Sequence, residues 1–315
     1  MNVKHSSNEA LFQLNGVPPL GTAVSLALQH LVAMMVGCVT PAIIIANAIG
    51  LSQADQVILI QASLVMSAVS TLLQLYPIGG RLGSGLPVIM GVSFAYVPSM
   101  QAVASAEQGI AAISGAMIVG GVVAILVGLF VKYIRPLFPP VITGTVVFTI
   151  GLSLYPTAIN YMAGGTGNTA ESISASGLSL SLVYGSWQNW LMAAITLAAV
   201  MVLNHYAKGL CKLASILIGM AFGYVVSMAF GMVSFADVAE ASWFSVPKFL
   251  HFGIAFEPAS CIAIGLLFAI NSIQAIGDFT ATTVGGLNRE PTTRELQGGI
   301  VCYGVTNILA AFFGG

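Results

Sequence analysis

Three polar side chains stand in register inside a run otherwise fit for a lipid bilayer. In INSIQAIGDFTATT, residues 270–283, Asn271, Gln274 and Asp278 are spaced three and four apart. On a helix that spacing puts them on one face, with Thr282 a turn further on. The two amides offer donors and acceptors, whereas an ionised carboxylate only accepts. A charge facing lipid at the bilayer centre costs roughly 2.5 kcal/mol or more, so this face must look onto protein or a cavity. Two readings stay open on the residues alone. The cluster could glue helices together through hydrogen bonds. It could equally bind a polar substrate, with Asp278 carrying a proton.

A second, weaker signal lies in LALQHLVAMM, where Gln29 and His30 fall in the middle of the first apolar segment. A neutral imidazole has one donor and one acceptor and titrates near physiological pH, so it could orient a buried partner or exchange a proton. A histidine satisfied by an interhelical hydrogen bond is the plainer alternative. His205 and His251 fall at span ends or in loops, where solvated side chains are expected.

The elements that carry these residues are those of a membrane protein. The chain has 315 residues, 57% apolar and only 6% charged, with 35 glycines and a mean hydropathy of +0.95. Soluble domains have about 25% charged residues. The pattern predicts an all-α polytopic membrane protein with nine spans, at 20–43, 56–76, 84–105, 110–131, 139–160, 187–204, 211–232, 258–285 and 296–315. The third is the exception. Gly83, Gly85, Pro87, Gly91 and Pro98 are too many breakers for a continuous helix, and PVIMGVSFAYV reads as an extended stretch leading into a half-helix. Extended backbone at membrane depth survives only when buried in protein or lining a cavity. Interrupted spans of this kind mark binding sites in transporters.

Charge sets the orientation. Eight of the nine basic residues, Lys4, Arg81, Lys132, Arg135, Lys208, Lys212, Arg289 and Arg294, fall in the N-terminal segment and in the loops after even-numbered spans. The other loops hold Asp55, Glu107, Glu171, Asp237, Glu240 and Glu257, with Lys248 their one base. A cytoplasmic N-terminus in a plasma (inner) membrane is expected. Residues 1–18 are polar, and the first apolar segment is too long for a signal peptide. Loops 161–186 and 233–257 read as irregular connections on the outer side.

Other chemistries find little support. Cys38, Cys211, Cys261 and Cys302 are scattered singly, as packing residues are. No GK[ST] follows a glycine-rich loop, and there is no HExxH, GxSxG or cysteine–histidine metal pattern. A catalytic site, a metal, a cofactor and a nucleic-acid partner are therefore not expected.

Five stretches together resemble the nucleobase–cation symporters of the nucleobase–ascorbate transporter family, and in particular its purine (xanthine/uric acid) permease branch. They are PPLGTAVSLALQHLVAMMVGCVTP (18–41), GVSFAYV (91–97), FPPVITGTVVFTIGLSL (138–154), IQAIGDFTAT (273–282) and LQGGIVCYGVTNILAAFFGG (296–315). They occur in family order along the whole chain. The resemblance implies two inverted repeats of seven spans, a short strand in span three, and alternating access between a core and a gate. It maps residues 19–131 and 258–315 to core spans 1–4 and 8–9, residues 132–232 to gate spans 5–7, and residues 233–257 to an extracellular loop. The second repeat would be incomplete, as in a C-terminally truncated chain. It implies a purine nucleobase substrate, the proton as coupling ion and a homodimer in the lipid bilayer.

Position by position, His30 matches the family's first-span histidine, and Phe94 and Ala95 match the strand whose backbone reaches the base. Ala95 stands where some purine members have asparagine. Gln274 stands where the family usually has a base-binding glutamate, a departure from the pattern, and Asp278 matches the carboxylate of the purine branch. Gln274, Phe94, Ala95 and His30 are thus the expected substrate contacts. Asp278, His30, Asn271 and Gln29 are the expected proton-coupling or site-organising groups. Three alternatives remain: a uracil permease of the same family, an anion transporter of the same architecture, and a non-transporting fragment. An anion site would call for a basic residue near the third-span half-helix, and the sequence has none there.

Overall fold

The computed structural model describes residues 13–14, 16–17, 19–104, 109–137, 140–165, 184–207, 211, 215–233 and 247–314. The helices are α1 (Leu20–Ala48), α2 (Gln53–Leu75), α3 (Val97–Ala104), α4 (Gly109–Leu129), α5 (Val131–Ile134), α6 (Pro140–Ser153), α7 (Tyr155–Met162), α8 (Trp187–Tyr206), α9 (Ser215–Ala229), α10 (Pro258–Leu287) and α11 (Thr293–Phe313). Among them α2, α4, α8, α10 and α11 are long and apolar enough to cross a membrane. No strand occurs among the described residues.

Local sequence sets the helix ends. Ser52 caps α2 by accepting from the Asp55 amide at 3.2 Å. Thr292 and Glu295 form a reciprocal capping box at the start of α11. Glu257 caps α10, accepting from the amides of Ala259 and Ser260. The bonds from Ser260 hold its carboxyl below the usual carboxylate range. The fifth expected span is not one helix. It breaks at Leu154, two residues before Pro156, because proline has no N–H to donate and its ring crowds the preceding turn.

The chain divides into two compact units, residues 1–27, 34–152 and 246–315 in the first and residues 28–33 and 153–245 in the second. In the first, α4 packs against α10 and α11, and α2 against α11. Lipid tails are as apolar as leucine, so helices in a bilayer associate by close fit, and small residues let backbones approach. A Cβ on Gly304 of α11 would lie 2.6 Å from the Gly121 carbonyl oxygen of α4. No larger residue fits there without separating the helices. Around this contact Ile264, Phe268, Ala116 and Ala124 are fully buried.

Polar pairs tie the loops at each end of this unit. At one end Arg294 donates twice to the Gly80 carbonyl (2.9 and 2.5 Å), and Arg135 pairs with Glu290 at 2.9 Å. There too Arg289 forks onto Glu295 at 2.9 and 2.5 Å, and the carboxylate raises the guanidinium above its ordinary value. At the other end His251 Nε2 lies 2.7 Å from Asp55 Oδ1. His251 is exposed, as expected of a loop histidine, and it still pairs with Asp55. The Leu250 amide donates to the Phe312 carbonyl and the Ala255 amide to the Ala111 carbonyl, which lay this segment onto the helix ends.

The second unit is built on α8 against α9. Asn189 donates to the Ala163 carbonyl at 3.1 Å and Tyr184 to Asn160 at 2.8 Å.

Candidate functional site

The interrupted third span is held in place residue by residue. Gly83 has φ +115°, and a Cβ there would lie 2.1 Å from the Leu73 carbonyl oxygen, so only glycine fits. Its amide donates to Gly298 of α11 at 3.0 Å, and the Gly85 amide donates to the Gln74 carbonyl at 2.7 Å. Gln74, fully buried on α2, donates from Nε2 to Gly299 at 2.8 Å and accepts from the Ser84 amide at 2.9 Å. Further along, Met90 donates to Thr71 Oγ1 at 3.0 Å, and its carbonyl accepts from Ser67. Several backbone groups freed by the breakers, at Gly83, Ser84, Gly85 and Met90, thus find partners on α2 and α11. A 3₁₀ turn over Phe94–Tyr96 then leads into α3, with Ser93 accepting from the Ala95 amide at 3.3 Å. The expected short strand has no partner strand among the described residues; the stretch before Phe94 is irregular backbone.

This break, together with α2, α4, α10, α11 and the C-terminal half of α1, encloses a cavity of about 360 Å³, within the range of small-molecule sites. Most of its wall is apolar, with Met66, Met90, Met100 and Met117 prominent. Its polar groups come from several walls: Ser63, Ser67 and Ser70 on α2, Ser114 on α4, Ser93 in the break, and Asn271, Gln274 and Asp278 on one face of α10.

Those groups differ in what they bind. Asn271 is satisfied at both ends, accepting from Ser93 Oγ at 3.2 Å and donating to the Tyr303 hydroxyl at 2.9 Å. The Tyr303 hydroxyl also bonds that of Tyr96. One turn along α10, Gln274 Oε1 is buried and has no hydrogen-bond partner. Asp278 lines the same cavity as an exposed residue, and among the described residues its carboxylate meets no donor or cation. A buried amide oxygen without a partner costs about 1–3 kcal/mol, unless something entering the cavity donates to it.

The other expected site residues stand as follows. Phe94 and Ala95 are half-buried in the 3₁₀ turn. The residues on either side of them, Ser93 and Tyr96, line the cavity. His30 is exposed on α1, in the stretch that groups with the second unit. The Gln29 side chain lies outside the described residues. Tyr96 and Tyr303 were not singled out from the sequence. A tyrosine hydroxyl in an apolar span needs a partner when buried, and that requirement was the available signal.

The model of a family described as "Permease family" matches residues 21–315. The chain belongs to that family. Uric acid permease PucJ of Bacillus subtilis is 36% identical over 92% of the chain. Xanthine permease of the same organism is 32% identical over 93%, and uric acid transporter UacT of Escherichia coli is 31% identical over 93%. The chain spans 62%, 64% and 58% of the lengths of these three relatives. The family and these relatives carry the names of permeases and transporters, proteins that move a substrate across a membrane without transforming it. The chain's long apolar helices are those of an integral membrane protein.

Proposed function

We propose that the permease is a secondary active transporter that imports a purine nucleobase by proton symport and alternating access. The observation that carries this reading is the buried, unpartnered Gln274 oxygen beside Asp278 on one wall of the cavity. A purine edge alternates N–H donors with ring-nitrogen and carbonyl acceptors. The Gln274 amide can take one of each in a planar pair, as glutamine does with adenine. The relatives named for xanthine and uric acid favour a purine over other planar heterocycles.

Gln274 cannot take up a proton, so the coupling proton falls to Asp278, the one acid well inside a span. His30, with Gln29, is its first-span partner by resemblance alone. Phe94 and Ala95 would present the backbone of the break to the base. Residues 19–131 and 258–315 would form the core and 132–232 the gate, within two inverted repeats and a homodimer. A cytoplasmic N-terminus in the plasma membrane is supported by the gathering of Arg135, Arg289 and Arg294 at one end of the first unit and of Asp55 and Glu257 at the other.

The test is uptake of radiolabelled xanthine, uric acid, guanine and uracil by cells making the full-length protein, at two external pH values. Purine uptake that rises at the lower pH, and is lost in Asp278→Asn, is expected. Uptake of uracil alone would replace the purine by a pyrimidine. Uptake of none of the four, or full uptake by Asp278→Asn, would overturn the mechanism.

A further inference from the structure

Four side chains of the cavity wall are hydrogen-bonded to one another in a chain. Ser93 Oγ donates to Asn271 Oδ1 at 3.2 Å, and Asn271 Nδ2 donates to the Tyr303 hydroxyl at 2.9 Å. The Tyr303 and Tyr96 hydroxyls bond each other. Four residues from three separate segments are thus linked: the break of span three, α10 and α11. Packing fixes the geometry, because the fully buried Phe268 ring lies against both tyrosines, with centroids 4.9 Å from Tyr96 and 5.6 Å from Tyr303.

Ser93 also caps the 3₁₀ turn through the Ala95 amide at 3.3 Å. Whatever holds Ser93 therefore sets where the half-helix begins. Upstream, the extended stretch is held to α2 as far as Met90. Between Met90 and the turn, the bond from Ser93 to Asn271 is the side-chain tie to α10. Tyr303 keeps the Asn271 amide turned so that its oxygen faces Ser93. A buried amide whose nitrogen lost its acceptor would gain by turning away.

We propose that Tyr303, with Tyr96, is a positioning residue. Their hydroxyl pair fixes the Asn271 amide, which latches the break of span three to α10 and sets its distance from Gln274. The link to substrate rests on the reading of this cavity as the nucleobase site; the latch itself does not. On this reading the wall is divided between a latch that holds the break and an open pair, Gln274 and Asp278, that meets the ligand.

Tyr303→Phe keeps the ring and removes the hydroxyl, and Ser93→Ala cuts the other end of the chain. Both are made in the full-length protein, singly and together. Hydrogen exchange of backbone amides over residues 89–96 reads the latch without any substrate. Each single variant should exchange there about 10-fold faster than wild type, with α4 unchanged, and the double variant no faster than the faster single one. In uptake of the preferred purine, KM should rise about 10-fold in each, with the maximal rate within twofold of wild type.

Unchanged exchange, or single effects that multiply in the double variant, would overturn the latch. Faster exchange with an unchanged KM on a transported purine would overturn the positioning role. A wild type that takes up no purine, with the exchange effect intact, would overturn the purine reading and leave the latch standing.

Discussion

Asn271 and Gln274 are the same chemical group, one helical turn apart on one face of α10, yet the fold treats them oppositely. Asn271 is closed on both sides, by Ser93 and by Tyr303. Gln274 keeps a buried oxygen with no partner, and the exposed Asp278 lies beyond it on the cavity wall. A protein interior satisfies its buried polar groups unless something else is to satisfy them. On the proposed reading, the Asn271 end of the face holds the protein together and the Gln274 end holds a guest. The two carboxamides differ by one methylene and in what packs opposite them.

That contrast can be broken at several points. The largest effect is expected at Asp278. Asp278→Asn should cut proton-coupled uptake about 100-fold, the scale of one lost charged hydrogen bond, while leaving the melting temperature unchanged or raised. A fall in melting temperature of several degrees would move Asp278 to the structural side. Next comes Asn271→Ala, which strands the Ser93 and Tyr303 hydroxyls and should cost about 2 kcal/mol of stability. Purified variant and wild type compared by thermal unfolding in detergent would show it, and equal midpoints would say that the Asn271 end of the face is not structural.

The smallest effect should be seen at Glu257, far from both groups. Its folded-state carboxyl is held below the usual range by bonds from Ser260. Its stabilisation is therefore present above the unfolded-state value and is lost as pH falls through the lower, folded one. Glu257→Gln should flatten that acid-side slope of melting temperature and leave uptake at neutral pH alone. An unaltered slope would remove the cap from the account.

Much of this geometry was legible in the sequence. The three-and-four spacing of Asn271, Gln274 and Asp278 placed them on one face, because helical periodicity is a local property. The breakers Gly83, Gly85, Pro87, Gly91 and Pro98 announced the interruption of span three for the same reason. The contrast between Asn271 and Gln274 was not legible. It is decided by Ser93, 178 residues away, and Tyr303, 32 residues away, and no local pattern encodes which amide a distant hydroxyl will reach. The pairing of the exposed His251 was not legible either, since its partner Asp55 lies 196 residues off. Pro156 was local and visible, yet the apolar run around it still suggested one continuous span.

The central claim is that Gln274 presents an open amide to a ligand. Equilibrium binding of radiolabelled xanthine and uric acid to the purified full-length protein, wild type against Gln274→Ala, tests it most directly. Gln274→Ala should bind the preferred base about 10-fold more weakly, the worth of one buried hydrogen bond of about 1.4 kcal/mol, and should unfold at the same temperature. Equal affinity in the two proteins would contradict the account.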